Sequence, residues 1–318
     1  MKILVTGASG FVGRSLCEAL NSQGFSIRKA HRTNDYQTGS TGHQENITIG
    51  EIGLGTNWGA ALQDIDCVVH LAARVHVMRE ESLDPLSEFM RVNTYGTANL
   101  AKQAVKKGVK KFIYLSSIKV NGEETELNHP FTIDSIPNPK DPYGVSKYLA
   151  EEYLQTIASR TSMVLTIIRP PLIYGPGVKG NFNSLISAVH HRVPLPFRGI
   201  TANRRSFIAL DNLTDFIIRC IKQKAADNQT FLASDGEDLS TAELLQRLGK
   251  AIGKPARLFW VPESILKGSG YLIKQKEIYQ RVCKSLQVDI EKTRSIMNWN
   301  PSISIDEALR RTQKQQPK

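Results

Sequence analysis

Tyr143 and Lys147 stand four residues apart in Tyr143-Gly144-Val145-Ser146-Lys147, a spacing that puts both side chains on one face of a helix. A phenol titrates near pH ~10, and a neighbouring ammonium favours its phenolate. Such a pair can exchange a proton with a hydroxyl or carbonyl while a cofactor exchanges a hydride. Upstream, the apolar run Phe112-Ile113-Tyr114-Leu115 emerges into Ser116-Ser117. A serine at such a strand end can bond the reacting oxygen and share its proton. Ser117, Tyr143 and Lys147 are therefore the expected catalytic group.

The hydride carrier has a place near the start of the chain. Gly7-Ala8-Ser9-Gly10-Phe11-Val12-Gly13 is G-x-x-G-x-x-G between a first strand and a first helix, where glycine lets backbone N–H groups approach a pyrophosphate. Ser9, Phe11 and Val12 lie in the same turn and are expected contacts. The second strand ends in Arg28-Lys29-Ala30-His31-Arg32, with no acid until Asp35. An acid at that point receives the ribose hydroxyls of NAD, whereas an Arg accommodates the 2′-phosphate of NADP. Arg32 therefore favours NADP(H), with NAD(H) still open.

The elements that must position these groups follow from periodicity. Ile3–Thr6, Ser26–Ala30, Ile47–Ile49, Cys67–Leu71, Phe112–Leu115 and Val164–Ile168 are short apolar runs separated by longer helical stretches, as in a parallel sheet covered on both faces. Phe11–Leu20 and Tyr143–Ile157 have helical spacing. The fold class expected is α/β, a Rossmann-like doubly wound sheet with a smaller interleaved α/β substrate-binding domain. After Arg169 the texture changes: Pro170-Pro171, Gly175-Pro176-Gly177 and Pro194-Leu195-Pro196 mark loops. Asp211–Lys224 is again helical, with Asp211 as its N-cap, and short helices from Thr241 end with Ile305–Gln313. The division expected is 1–169 plus about 205–228 for the dinucleotide, and about 170–204 plus 229–318 for the substrate.

Composition narrows the class. The 318 residues are 41% hydrophobic and 22% charged, the balance of an ordinary globular protein. No apolar run approaches the ~20 residues that span a bilayer, the opening residues form a strand rather than a leader, and Cys17, Cys67, Cys220 and Cys283 show no metal-ligand spacing. A cytoplasmic protein with neither a metal nor a membrane partner is expected. The net charge of +11 fits nucleic acid, solvated helix ends or a polyanionic small substrate. The run Lys106-Lys107-Gly108-Val109-Lys110-Lys111 reads as a solvated helix end, and no nucleic-acid partner is expected.

Taken together, the ordered motifs resemble the extended short-chain dehydrogenases of the nucleotide-sugar epimerase/dehydratase type over nearly the whole chain. The resemblance implies that Gly7, Gly10 and Gly13 hold the pyrophosphate and that Glu51, followed by Ile52, meets the adenine. It places Leu71, Ala72 and Ala73 of His70-Leu71-Ala72-Ala73 along the cofactor, with Asn93 as a structural asparagine and Pro170 beside the nicotinamide. Ser117, Tyr143 and Lys147 fall on the catalytic positions. For a nucleoside diphosphate sugar, with UDP favoured, it implies Asn181, Arg205 and, by a looser match, Arg281, together with Ser117. Members that eliminate water carry Asp-Glu immediately after the catalytic hydroxyl residue; here those places hold Ile118 and Lys119, which cannot act as acid and base. Hydride transfer at C4 without elimination remains. A 4-ketoreductase of a UDP-4-keto-6-deoxy-N-acetylhexosamine in surface-polysaccharide synthesis is favoured slightly over a 4-epimerase. Lys119 and His76 could touch the sugar. The resemblance also implies a homodimer paired through Ser87–Lys107 and Tyr143–Ile157. A dinucleotide sensor would have no reason to keep all three catalytic residues.

Overall fold

The computed structural model describes residues 1–33, 44–75, 84–262, 265 and 282–314. Its main sheet contains β1 (Lys2–Thr6), β2 (Ser26–His31), β3 (Gln44–Thr48), β4 (Cys67–His70), β5 (Lys111–Leu115), β6 (Val164–Arg169) and β9 (Gln229–Leu232). All seven are parallel, in the order β3-β2-β1-β4-β5-β6-β9. The alternation of a strand sends successive side chains to opposite faces. Ile3, Val5, Cys67, Val69 and Ile113 enter one core with Leu16 of α1 (Phe11–Ser22) and Phe216 of α6 (Leu210–Lys222). Leu4, Val68, Phe112 and Tyr114 enter the other, with Leu100 of α3 (Thr97–Lys106) and Leu154 of α4 (Pro142–Ser159). Burial on both faces explains why these strands read as continuous apolar runs.

A second, three-stranded sheet has the order β10-β8-β7, built from β7 (Leu172–Tyr174), β8 (Arg205–Ala209) and β10 (Asp238–Leu239). With α5 (Gly180–His190), α7 (Thr241–Ile252) and the helix Ile305–Lys314, it encloses its own core around Tyr174, Phe182, Phe207, Leu245 and Leu309. Two placements differ from the expected division. β8 pairs with β7 and β10, so it belongs to the small sheet. β9 runs in register with Thr166–Arg169 and closes the large one.

Local chemistry explains the helix ends. Asp141 accepts the Gly144 N–H at 2.6 Å and starts α4 with Pro142 in its first turn. Asp211 is not the N-cap of α6; Ala209 holds that place, and Asp211 sits in the first turn, where its charge suits the helix dipole. The expected helix Ser87–Lys107 is α2 (Pro85–Phe89), a π-helical turn at Met90–Gly96, and then α3. Lys106, Lys107 and Lys110 are exposed around the end of α3, but Lys111 is buried, pairing with Asp227 at 2.7 Å and donating to the Cys220 carbonyl at 3.0 Å. All four cysteines are buried. Among the described residues no helix is long and apolar enough to cross a membrane, and no group of His, Cys, Asp or Glu could hold a metal.

Candidate active site

A cleft of about 730 Å³ opens along the carboxyl ends of β1, β2, β4 and β5, where ligands of open α/β sheets bind. Its floor is the glycine turn. Gly7 has φ +68°, and a Cβ there would lie 2.8 Å from the Ala72 nitrogen; one on Gly13 would lie 2.1 Å from the Gly7 carbonyl oxygen. Helix α1 starts on this turn without a side-chain cap and without an acid in its first turn, leaving its positive end to a phosphate. The cleft wall carries Arg14, Arg32, Arg74, Arg91, Lys147 and Lys179 against Glu51. A cleft so lined draws in a polyanion. Volume, bare helix end and charge all fit a dinucleotide, which Gly7, Ser9, Gly10, Phe11, Val12, Gly13, Glu51, Ile52, Leu71, Ala72, Ala73 and Pro170 would hold.

The three catalytic candidates converge at the other end of this cleft. Ser117 follows β5, accepts the Lys119 N–H at 3.2 Å, and offers its hydroxyl to Tyr143. Desolvation pushes the Tyr143 phenol up to about 12, against the hydrogen bond from Ser117. Lys147 is buried; its ammonium donates to the Leu115 carbonyl at 2.6 Å and sits 4.0 Å over the Tyr114 ring. Burial drives that amine down to about 7, with Glu151 one turn further on pulling it back up. Tyr143 therefore rests as the neutral phenol, while Lys147 exchanges its proton around neutral pH and is held as the ammonium when a ligand or phenolate brings negative charge beside it.

Around this centre lies a frame that pattern reading missed. Glu151, 1% exposed, takes three bonds from Arg169, Nε to Oε1 at 3.0 Å and to Oε2 at 3.1 Å and Nη2 to Oε2 at 2.5 Å, and also the Ser116 hydroxyl. Arg169 reaches on to Asn121 Oδ1 at 3.1 Å. Of the two adjacent serines, Ser116 is thus committed to structure and Ser117 to the cleft. His70 is wedged between Thr6 Oγ1 at 2.6 Å and Thr97 Oγ1 at 2.8 Å, and burial holds it neutral with a pKa of about 3. Glu151 was legible only as the next residue of a four-residue series on α4, since nothing local names its partners.

Several other expected residues lie outside the cleft lining. Asn93 does not line the cleft: it is buried, bonds both backbone groups of Arg74 at 2.8 and 3.0 Å, and donates to Ser146 Oγ at 2.9 Å, bracing the cofactor loop against α4. Asn181 and Arg205 also lie outside the cleft lining. Asn181 is exposed in the first turn of α5, next to the lining residue Lys179, and Arg205 donates to the Lys284 carbonyl at 2.9 Å. Arg281 and His76 lie outside the described residues. Lys119 turns away from the cleft to pair with Asp141 and, at 3.2 Å, with Glu123. Arg32 is 72% exposed at the end of β2, and Glu51 stands 3.7 Å from it.

The profile of the NAD dependent epimerase/dehydratase family matches residues 3–233. The chain belongs to that family. It is 42% identical over 316 residues to the UDP-glucose 4-epimerase of Vibrio cholerae, covering 98% of this chain and 94% of that one. It is 29% identical to the N-acetyl-alpha-D-glucosaminyl-diphospho-ditrans,octacis-undecaprenol 4-epimerase of Escherichia coli O157:H7, over 85% of this chain and 78% of that one. The fold matches the UDP-glucuronic acid 4-epimerase of Bacillus cereus in complex with NAD, with a TM-score of 0.79 at 24% identity, over 99% and 98% of the two chains. The expected Rossmann-like fold and the expected epimerase/dehydratase family of the extended short-chain dehydrogenases both hold.

Proposed function

We propose that this protein is a UDP-hexose or UDP-N-acetylhexosamine 4-epimerase. The observation that carries the reading is the 42% identity, over almost the full length of both chains, with a UDP-glucose 4-epimerase. It reverses the order expected from sequence, where the 4-ketoreductase stood first. Ile118 and Lys119 support the same reading. Ile118 is buried and Lys119 is tied to Asp141 and Glu123, so neither can serve an elimination.

A nicotinamide held by the glycine turn and the cleft lining would supply a reversible hydride acceptor for C4 of the sugar. Tyr143 takes the proton of the C4 hydroxyl and later gives it back, so the isomerisation balances with no net oxidation. Ser117 hydrogen-bonds the same oxygen and keeps it beside Tyr143. Lys147, fixed on the Leu115 carbonyl, supplies the positive charge that lowers the cost of the phenolate. Between the two transfers the 4-keto sugar must turn over within the cleft, whose lining includes Gly177, Val178 and Lys179. Asn181, Arg205 and Arg281 remain the proposed contacts for the nucleoside diphosphate, the arginines as bidentate donors.

The proposed cofactor is NAD, held throughout the cycle. Glu51 beside Arg32 balances the cation that alone would favour a 2′-phosphate, which argues against the NADP(H) preference expected from sequence. We also propose a homodimer through the α2–α3 and α4 faces, where Leu86 and Tyr153 are exposed.

The test is to incubate the purified protein with UDP-galactose and with UDP-N-acetylgalactosamine, follow the 4-epimers by proton NMR, and identify the dinucleotide released on denaturation. Interconversion without added cofactor, with NAD released, is the expected result. An empty protein that consumes NADPH stoichiometrically with a UDP-4-keto sugar would establish the reductase instead.

A further inference from the structure

The outer end of the small sheet's domain carries a surface that the proposed reaction does not use. Residues 190–199 lie beside 254–262: Leu195 N–H donates to the Arg257 carbonyl at 2.8 Å, Phe259 N–H to the Leu195 carbonyl at 3.0 Å, and Arg198 N–H to the Phe259 carbonyl at 3.2 Å. Within this pair of segments Val193 (45% exposed), Phe259 (46%) and Trp260 (66%) leave large apolar side chains open to solvent. Trp58 and Trp299, the other two tryptophans, are fully buried. Arg192, Arg198 and Arg257 are exposed in the same two segments.

Charge in these two paired segments, 190–199 and 254–262, is one-sided. Residues 178–210 contain Lys179, Arg192, Arg198, Arg204 and Arg205, and residues 244–262 contain Arg247, Lys250, Lys254 and Arg257; neither stretch holds an Asp or a Glu. Arg204 and Arg247 are paired with acids from outside them. Arg192, Arg198 and Arg257 have no acidic partner among the described residues. Aromatic side chains beside unneutralised cations are what the edge of an anionic bilayer accommodates: indole at the headgroup level and arginine on the phosphates.

We propose that this face seats the protein on an anionic membrane surface, with Trp260 and Phe259 inserted at the headgroup level and Arg192, Arg198 and Arg257 on lipid phosphates. The expected absence of a membrane partner rested on the lack of a spanning run; a patch that lies on the surface needs none. The inference does not depend on the sugar chemistry, and its test reads no activity.

The test mixes the intact protein with vesicles of phosphatidylcholine alone and of phosphatidylcholine with phosphatidylglycerol. Cosedimentation and tryptophan emission report binding, and because Trp260 is the single exposed indole, its blue shift reports insertion of this face. Binding to the anionic vesicles only, with a blue shift and loss in high salt, is expected. Each arginine in the face is worth about fivefold in partition, so R192E/R198E/R257E should abolish binding, and W260A should weaken it on the order of tenfold. Retained dinucleotide binding and an unchanged far-UV spectrum show that both variants fold. Equal binding to both kinds of vesicle, no binding, or binding unchanged in the variants overturns the proposal. A blue shift that grows with protein concentration and without lipid assigns the face to a second copy, and tighter retention on RNA than on vesicles assigns it to nucleic acid; either result also overturns it.

Discussion

Replacing Lys147 with Met should stabilise the nucleotide-free protein near neutral pH while abolishing its chemistry. The amine is buried, and its pKa falls from 10.5 to about 7. At about 1.4 kcal/mol for each pH unit, that fall opposes folding by about 5 kcal/mol when the amine is charged in both states. The sign follows from proton counting. Below about pH 7 both folded and unfolded chains carry the ammonium, and the full penalty applies. Between about 7 and 10.5 the unfolded chain binds more protons, so stability rises with pH until the penalty is gone. Methionine removes the charge but forfeits the bond to the Leu115 carbonyl and the contact with the Tyr114 ring, together about 2–3 kcal/mol. The variant should therefore gain about 2 kcal/mol at pH 7, a rise in melting temperature of about 4 °C. At pH 10 the gain should have reversed, because little of the ionic penalty then remains. Thermal unfolding of both proteins at pH 7, 8, 9 and 10 is the assay. A stability difference that stays constant across that range, or that grows in favour of the variant as pH rises, would sink the reasoning about the buried amine.

Tyr143→Phe should lower kcat by about 10²–10⁴ with little change in KM, since it removes the proton carrier and leaves the cleft intact; steady-state epimerisation rates with dinucleotide content measured in parallel decide it. Glu151→Gln leaves Arg169 buried without its charge partner and should cost about 3–5 kcal/mol in urea unfolding; a loss below 1 kcal/mol would show that Asn121 and Ser116 suffice. Gly13→Ala places a methyl 2.1 Å from the Gly7 carbonyl, so the turn must open, and the purified variant should carry no dinucleotide even where it folds.

The parts of the site that could be read in the sequence are those whose geometry is local. The glycine turn, the Tyr143–Lys147 pair and the strand-end serines are each fixed within a single turn or one helix, and the cleft gathers all of them. What escaped is what distance in the chain conceals. Glu151 meets Arg169 from α4 and β6, and Asn93 holds Arg74 from 19 residues away; no spacing rule links such residues. Arg32 illustrates a related limit. Its neighbour Glu51 comes from beyond β3, so the strand end looks purely basic until the sheet brings the acid alongside. The strand assignments show the same limit: β8 and β9 are both short apolar runs, and only their pairing partners decide to which sheet each belongs.

The distribution of charge bears on why a site of this kind moves hydride rather than expelling water. Elimination needs an acid and a base held beside the sugar in addition to Tyr143. Here the residue after Ser117 is the buried alkyl group of Ile118, and the next, Lys119, is spent on Asp141, which caps the very helix that carries Tyr143 and Lys147. The positions that elimination would require are thus used to fix the serine turn against the N-terminus of α4. Restoring Asp and Glu at 118 and 119 would bury a carboxylate where Ile118 packs and would free Asp141 from its cation. Such a variant should lose stability and epimerisation together without gaining dehydration, because the supporting contacts of α4 would be removed by the same substitutions that supplied the acids.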